Sequence, residues 1–273
     1  LLPEAEKLAY YASEASAALD ITLTKRGKHI GEDIPMCGVP VHSHESYLAK
    51  LIRKGFKVAI CEQLEDPSEA KRRGAKSVVK RGVVRLMTPG TLTEESLLDS
   101  RFHNGLAAIV CVRGSYGLSW IDLSTGHFEL QSLVKSEIDS TLSRIIPGEI
   151  LIPDSFYEDS ELKSVFAPWE SSITILPSVR FNLDNAHRRL EEIFTVKTLA
   201  SFGDFSQAAV VAAGAVADYV LLTQKGAMPR LKEPHHFNGG NVMAIDSATR
   251  RNLELTKTLS GENDGSLLSL IDK

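Results

Sequence analysis

The segment from Gly105 to Leu133 constrains the fold more than any other part of the chain. Leu106 to Val112, Gly117 to Asp122 and His127 to Leu133 are strand-like runs, separated only by Arg113-Gly114-Ser115 and Ser124-Thr125-Gly126. Gly and Ser in such short links favour tight turns. Links this short cannot carry a crossover, so the three runs must pair antiparallel as a meander. The pattern then lengthens to helical periods. A helix is expected over Ser136 to Ile145, a strand over Glu149 to Ile152, a helix over Asn182 to Phe194 and an Ala-rich helix over Ser206 to Lys225. A sheet followed by helices able to cover its faces is an α/β arrangement.

Upstream the pattern differs. Glu4 to Leu19 is rich in good helix formers, with Leu8, Ala12, Ala15 and Leu19 on one stripe. Ile21 to Thr24 reads as a strand that stops at Lys25-Arg26-Gly27, leaving those bases on a strand-to-loop corner. Ser43 can cap a helix whose apolar face is Tyr47, Leu48, Leu51 and Ile52, and Gly55 can end it in a left-handed conformation. A short buried strand is expected over Lys57 to Gln63. Asp66-Pro67 then turns into a basic helix, Ser68 to Arg73. From Ser77 to Thr88 apolar residues alternate with Lys80, Arg81 and Arg85, so that one face can pack while the other meets phosphate. Pro89-Gly90 breaks this strand, and the polar stretch Thr93 to Asn104 reads as a surface passage to the next unit. Units are therefore expected at 1–104, 105–233 and 241–273. Pro229, Pro234 and Gly239-Gly240 form a linker, Val242 to Ile245 is extended, and an amphipathic helix over Thr249 to Leu259 starts from a cap at Asp246 or Ser247.

Charge separates these units by task. The whole chain carries a net charge of −4 with a pI near 6.1, yet Lys50 to Arg85 holds eleven lysines and arginines against four acids. Such a local excess is an electrostatic footprint for phosphate. Cys37, Cys61 and Cys111 are odd in number, widely spaced and flanked by apolar residues, which points to buried free thiols rather than disulfides or zinc. His42 and His44, and the adjacent His235 and His236, lack metal-site spacing. Asp218 interrupts the apolar stretch from Ala208 to Leu222, so no membrane span is expected. Leu1 in place of Met, without a signal-peptide pattern, reads as the start of a fragment of a soluble, intracellular protein. Asp122, Glu129 and Asp154 are the acids available for a two-metal nuclease, but the first strand of the second unit carries no acid to anchor such a site. The nucleotide-binding pattern G-x-x-x-x-G-K-[ST] is absent.

Several strings resemble the MutS family of DNA mismatch repair proteins. They are Leu19-Asp20-Ile21-Thr22-Leu23-Thr24-Lys25-Arg26-Gly27, Ile34-Pro35-Met36-Cys37-Gly38-Val39-Pro40-Val41-His42, Val58-Ala59-Ile60-Cys61-Glu62-Gln63 and Val84-Arg85-Leu86-Met87-Thr88-Pro89-Gly90-Thr91. Asp246-Ser247-Ala248-Thr249-Arg250-Arg251-Asn252-Leu253-Glu254-Leu255 is similar to the opening of that family's core domain. The resemblance implies an α/β chain: a mixed α+β mismatch-binding domain, a ribonuclease H-like connector domain, and the first helical segment of the core. It further implies double-stranded DNA with mispairs or small loops as ligand, MutL as partner, a homodimer, a cytoplasmic location, and ATP with Mg bound elsewhere in a full-length protein. Its Phe-x-Glu motif, in which an aromatic wedge stacks on the mispaired base, falls on Glu4-Ala5-Glu6. Glu6 matches the Glu, and Glu4 stands where the Phe would be. The DNA-facing set implied is Glu6, Lys25, Arg26, Met36, Pro40, Lys76, Lys80, Arg81 and Arg85, with Met36 and Pro40 as minor-groove candidates.

Overall fold

The computed structural model describes residues 4–29, 31–74, 77–92, 105–226, 228–238, 243 and 245–271. The first unit opens with α1 (Glu4–Leu19), followed by an antiparallel hairpin of β1 (Thr24–His29) and β2 (Glu32–Met36). The strand expected over Ile21 to Thr24 is displaced: Ile21 to Leu23 are not in a strand, and β1 begins at Thr24 and runs through Lys25-Arg26-Gly27 instead of stopping there. Lys25 pairs with Pro35 and Lys28 with Asp33, which leaves one extra residue on β1. Gly27, with φ of 72°, absorbs that residue as a bulge instead of a turn. The reason is that Glu32–Met36 supplies a partner strand, which local patterning did not indicate.

A 3-10 turn at Val41–Ser43 leads into α2 (His44–Arg53), which buries Ala49 and Ile52 and ends at Gly55, with φ of 82°. Ser43 stands at the expected N-cap, but its hydroxyl makes no cap bond. Next come β3 (Val58–Gln63), α3 (Pro67–Arg73) and β4 (Arg81–Met87). Asp66 caps α3 by accepting from the Ser68 amide at 2.7 Å. β3 and β4 pair antiparallel and form no wider sheet among the described residues. β3 is therefore not the buried strand expected. Only Val58 and Ile60 are half-covered, packing on a small core of Ala49, Ile52, Met87 and Leu92. The passage Thr93 to Asn104 lies outside the described residues.

In the second unit β5 (Gly105–Val112), β6 (Ser115–Asp122) and β7 (His127–Leu133) form the expected meander. α4 (Ile138–Ile145) leads to β8 (Glu149–Pro153), parallel to β5. Between Asp154 and Leu176 stand elements that local patterning left unread: α5 (Asp154–Glu158), α6 (Ser160–Phe166) and β9 (Ile173–Leu176), the last parallel to β8. α7 (Leu183–Phe194) and α8 (Gln207–Thr223) follow, capped by Asn182 and Ser206. β10 (His235–His236) pairs parallel with β7 inside the segment expected to be a linker. The sheet order is β10-β7-β6-β5-β8-β9.

Each face of this sheet has its own core. Leu106, Ala108, Ile121, Phe128 and Leu130 meet α7 and α8, whereas Ala107, Ile109, Leu118, Ile150 and Ile152 meet the side of α4, α5 and α6. α8 is buried almost all round and lies close to the sheet. A Cβ on Gly117 would come within 2.1 Å of the Ala208 carbonyl carbon. Each fully buried Val of α8 contributes roughly 1.5–3 kcal/mol. Asp218, the one acid within α8, is held by Arg180 at 2.5 Å and Arg189 at 2.8 Å. α9 (Ser247–Asn252), capped by Asp246, is far shorter than the helix expected to reach Leu259. It rests on α4, but Leu253 remains 58% exposed and Glu254 turns to φ of 49°, so no burial rewards further helix. α10 (Leu267–Ile271) completes the described chain.

Candidate nucleic-acid interface

The basic surface rises from α3 and the β3–β4 ladder. α3 carries Lys71, Arg72 and Arg73 in its last turn, where the negative end of the helix dipole favours cations. Glu65 ties this helix to the next segment. It accepts from Arg73 and, at 2.5 Å, from the Lys80 amide, and so fixes the start of β4 beside the end of α3. Lys71, Arg72, Lys80 and Arg81 remain exposed.

The expected alternation along β4 is broken. Ile60 pairs with Arg85, but the next residue, Cys61, pairs with Val83, so Val84 is an extra residue on β4. Because paired residues share a face and neighbours alternate, this bulge puts Arg85 on the face of Ile60 and leaves Arg81 on the opposite face with Cys61 and Gln63. Arg85 is accordingly half-buried and Arg81 exposed. Lys80, Arg81 and Arg85 do not form one phosphate-facing row.

Other predicted residues are distributed as follows. Lys25 and Arg26 sit on the β1–β2 hairpin, both exposed. Lys25 bonds Asp33 at 2.6 Å, which holds its ammonium above the usual lysine value. Met36 ends β2 and is 36% exposed; Pro40 is exposed, and Val41 beside it is 85% exposed. Glu6 belongs to α1, but its side chain lies outside the described residues, as does Lys76 altogether. Two exposed bases of the segment are engaged within the protein: Lys54 donates to the Ala18 carbonyl at 2.5 Å, and Lys57 to Thr174 of the second unit at 2.6 Å. Sequence reasoning did not single out Val41 or Val78, both exposed apolar residues. Their only signal was an apolar residue beside Pro40 or between Lys76 and Lys80.

The acids weighed for a nuclease are divided. Asp122 and Glu129 line a cavity of about 470 Å³ with Trp120, His127, Arg144 and Phe237. Asp122 is a turn cap, accepting from Ser124 at 2.6 Å. Burial raises the Glu129 carboxyl above its ordinary value, and His127 at 3.2 Å offsets this in part. Arg144 lies 3.9 Å from the centre of the Phe237 ring. Asp154 is elsewhere, bonded to Ser178 at the start of α5. Among the described residues no group of three or more His, Cys, Asp and Glu is arranged to hold a metal ion. The cysteines are free thiols, but Cys61 is exposed and Cys37 and Cys111 half-buried, against the expectation of burial. Among the described residues no helix is long and apolar enough to cross a membrane.

Two family models match. MutS domain I covers residues 9–96 and MutS domain II residues 104–232. The chain is 54% identical over 262 residues to the DNA mismatch repair protein MutS of Paracoccus denitrificans, covering 96% of this chain and 29% of that protein. Over 96% of the chain it is also 51% identical to the MutS of Ruegeria pomeroyi and 49% identical to that of Wolbachia pipientis wMel, covering 30% and 31% of those proteins. The chain thus spans about three tenths of the length of the relatives it matches. Glu6 precedes the residues matched by the domain I model.

Proposed function

The chain belongs to the MutS family of DNA mismatch repair proteins, and on that premise we propose that it is a non-catalytic unit that binds duplex DNA at mispaired or looped bases. The observation that carries this reading is the exposed cation cluster of α3 and β4 in a chain that is acidic overall. Lysines and arginines there neutralise phosphates without reading sequence. Selection of a mispair follows from deformability. A mispaired step has already lost stacking and pairing energy, so kinking it costs less than kinking matched duplex. The DNA-facing set is Lys25, Arg26, Met36, Pro40, Lys80 and Arg81, extended here to Lys71 and Arg72. Glu6, Lys76 and Arg85 complete the earlier set, with Arg85 in a supporting position beneath the ladder.

The division at 1–104 and 105–233 is part of the proposal, with β10 drawing the second unit on to His236. The meander β5–β7, with β8 and β9 in parallel beside it and helices on both faces, supports a ribonuclease H-like connector. In the whole protein we assign this connector the task of passing the DNA-bound state to MutL, within a cytoplasmic homodimer that hydrolyses ATP. The residues present here do not fit ATP and magnesium: the glycine-lysine phosphate loop is absent, and among the described residues no group of three or more His, Cys, Asp and Glu is arranged to hold a metal ion. An alternative, a MutL-docking module that binds DNA weakly, draws on the engagement of Lys54 and Lys57 by acceptors of the chain itself.

Anisotropy of a labelled duplex titrated with the chain at rising salt tests the reading. Arg72→Glu with Arg81→Glu should weaken binding and flatten the salt slope by roughly one unit per lost phosphate contact. Unchanged affinity would remove the cluster from the interface.

A further inference from the structure

Glu149 opens β8 with 1% of its surface exposed. A charge buried so completely is tolerated only when donors surround it. Here those donors come from both units. Thr88 donates its hydroxyl to Oε2 at 2.5 Å and Gly90 its amide to the same oxygen at 3.3 Å, while the Lys57 ammonium lies 3.3 Å from Oε1. From the second unit Thr174 donates to Oε1 at 2.5 Å and Tyr219 at 2.8 Å. Lys57 also donates to the Thr174 hydroxyl, closing a ring across the seam. The fit is tight in the backbone as well. A Cβ on Gly90 would fall 2.7 Å from the Glu149 Cβ and 3.0 Å from Leu106 Cδ1. Burial and the neighbouring carboxylate both raise the Tyr219 phenol above its ordinary value, so this hydroxyl stays a donor.

The Thr88–Thr91 turn follows directly from β4, the strand that presents Arg81. We propose that Glu149 is a positioning residue, a two-sided buried acceptor that fixes the turn after β4 to β8 and α8, so that displacement of the DNA-gripping strand is delivered to the second unit. Its functional meaning rests on the DNA-binding reading; its structural content does not. Neither unit alone satisfies the carboxylate, since withdrawal of the first removes the hydroxyl, amide and ammonium donors together. A carboxylate, with two oxygens and several lone pairs, is the side chain able to accept from so many directions.

Amide hydrogen exchange of the chain, with and without matched duplex DNA, tests the proposal in Glu149→Gln and in the milder Thr88→Val, which leaves the carboxylate in place. Loss of a charge-assisted bond at a buried site should speed exchange over residues 87–92 by roughly tenfold or more, with β5, β6 and β7 unchanged. In the parent chain, DNA should alter exchange in β8 as well as β4; in Glu149→Gln the change should be confined to the first unit. A merely structural role would not separate these responses. If both variants exchange like the parent over residues 87–92, the proposal is overturned. If exchange rises as expected while the parent binds no DNA, the latch stands and the DNA reading falls. Should Glu149→Gln fail to fold, Thr88→Val alone decides by the same criterion.

Discussion

Arg85 lies on the face of the β3–β4 ladder that carries Ile60, whereas Arg81, four residues earlier on the same strand, lies on the other face with Gln63. The two arginines therefore have separable roles. Arg81→Ala should weaken DNA binding with little change in stability, as for an exposed phosphate contact. Arg85→Ala should lower stability by about 1–2 kcal/mol, because its side chain is half-buried on the face of Ile60. Thermal unfolding alongside anisotropy separates them, and equal effects on binding alone would contradict the bulge.

Close approach of α8 to the sheet gives a second prediction. Gly117→Ala places a methyl group against backbone that has no room to rotate away. A loss of roughly 3 kcal/mol or more is expected in chemical denaturation, beyond the range of ordinary overpacking. Gly114→Ala, at a tight turn with open space around it but φ of 83°, should cost less.

Glu129 makes a prediction in pH. Its folded-state pKa is raised, first by burial. A group raised in this way favours folding below its unfolded pKa, and that contribution is lost as pH rises through the folded value. Glu129→Gln should therefore be less sensitive than the parent as pH rises above the ordinary carboxyl value. Unfolding temperatures measured across that range check the sign, and a parent curve no steeper than that of the variant would contradict it.

The sequence shows where the meander, α7 and α8 lie because hairpin turns and helix caps are local signals: Gly126, Asn182 and Ser206 each stand where the structure uses them. What it does not show depends on contacts between distant residues. β2 is a strand because β1 lies opposite; β10 is one because β7 has a free edge there. The bulge at Val84 arises from the register with β3 and turned Arg85 away from the row its spacing implied. Glu149 carried a legible hint, an acid at the head of an otherwise apolar strand, but its partners Thr174 and Tyr219 lie 25 and 70 residues away along the chain.

The wedge position gives a fourth prediction. Glu4 stands where the family resemblance has Phe, so Glu4→Phe should tighten binding to a mispaired duplex more than to a matched one, since stacking on an exposed base is worth about 1–3 kcal/mol. Equal changes for both duplexes would remove Glu4 from the wedge position.

The most direct test of the central claim compares two labelled duplexes, one fully matched and one with a single G·T mispair, titrated with the chain by fluorescence anisotropy at low and moderate salt. Tighter binding to the mispair, with both affinities falling as salt rises, is the predicted result. Equal affinity for the two duplexes, or no binding to either, would contradict it.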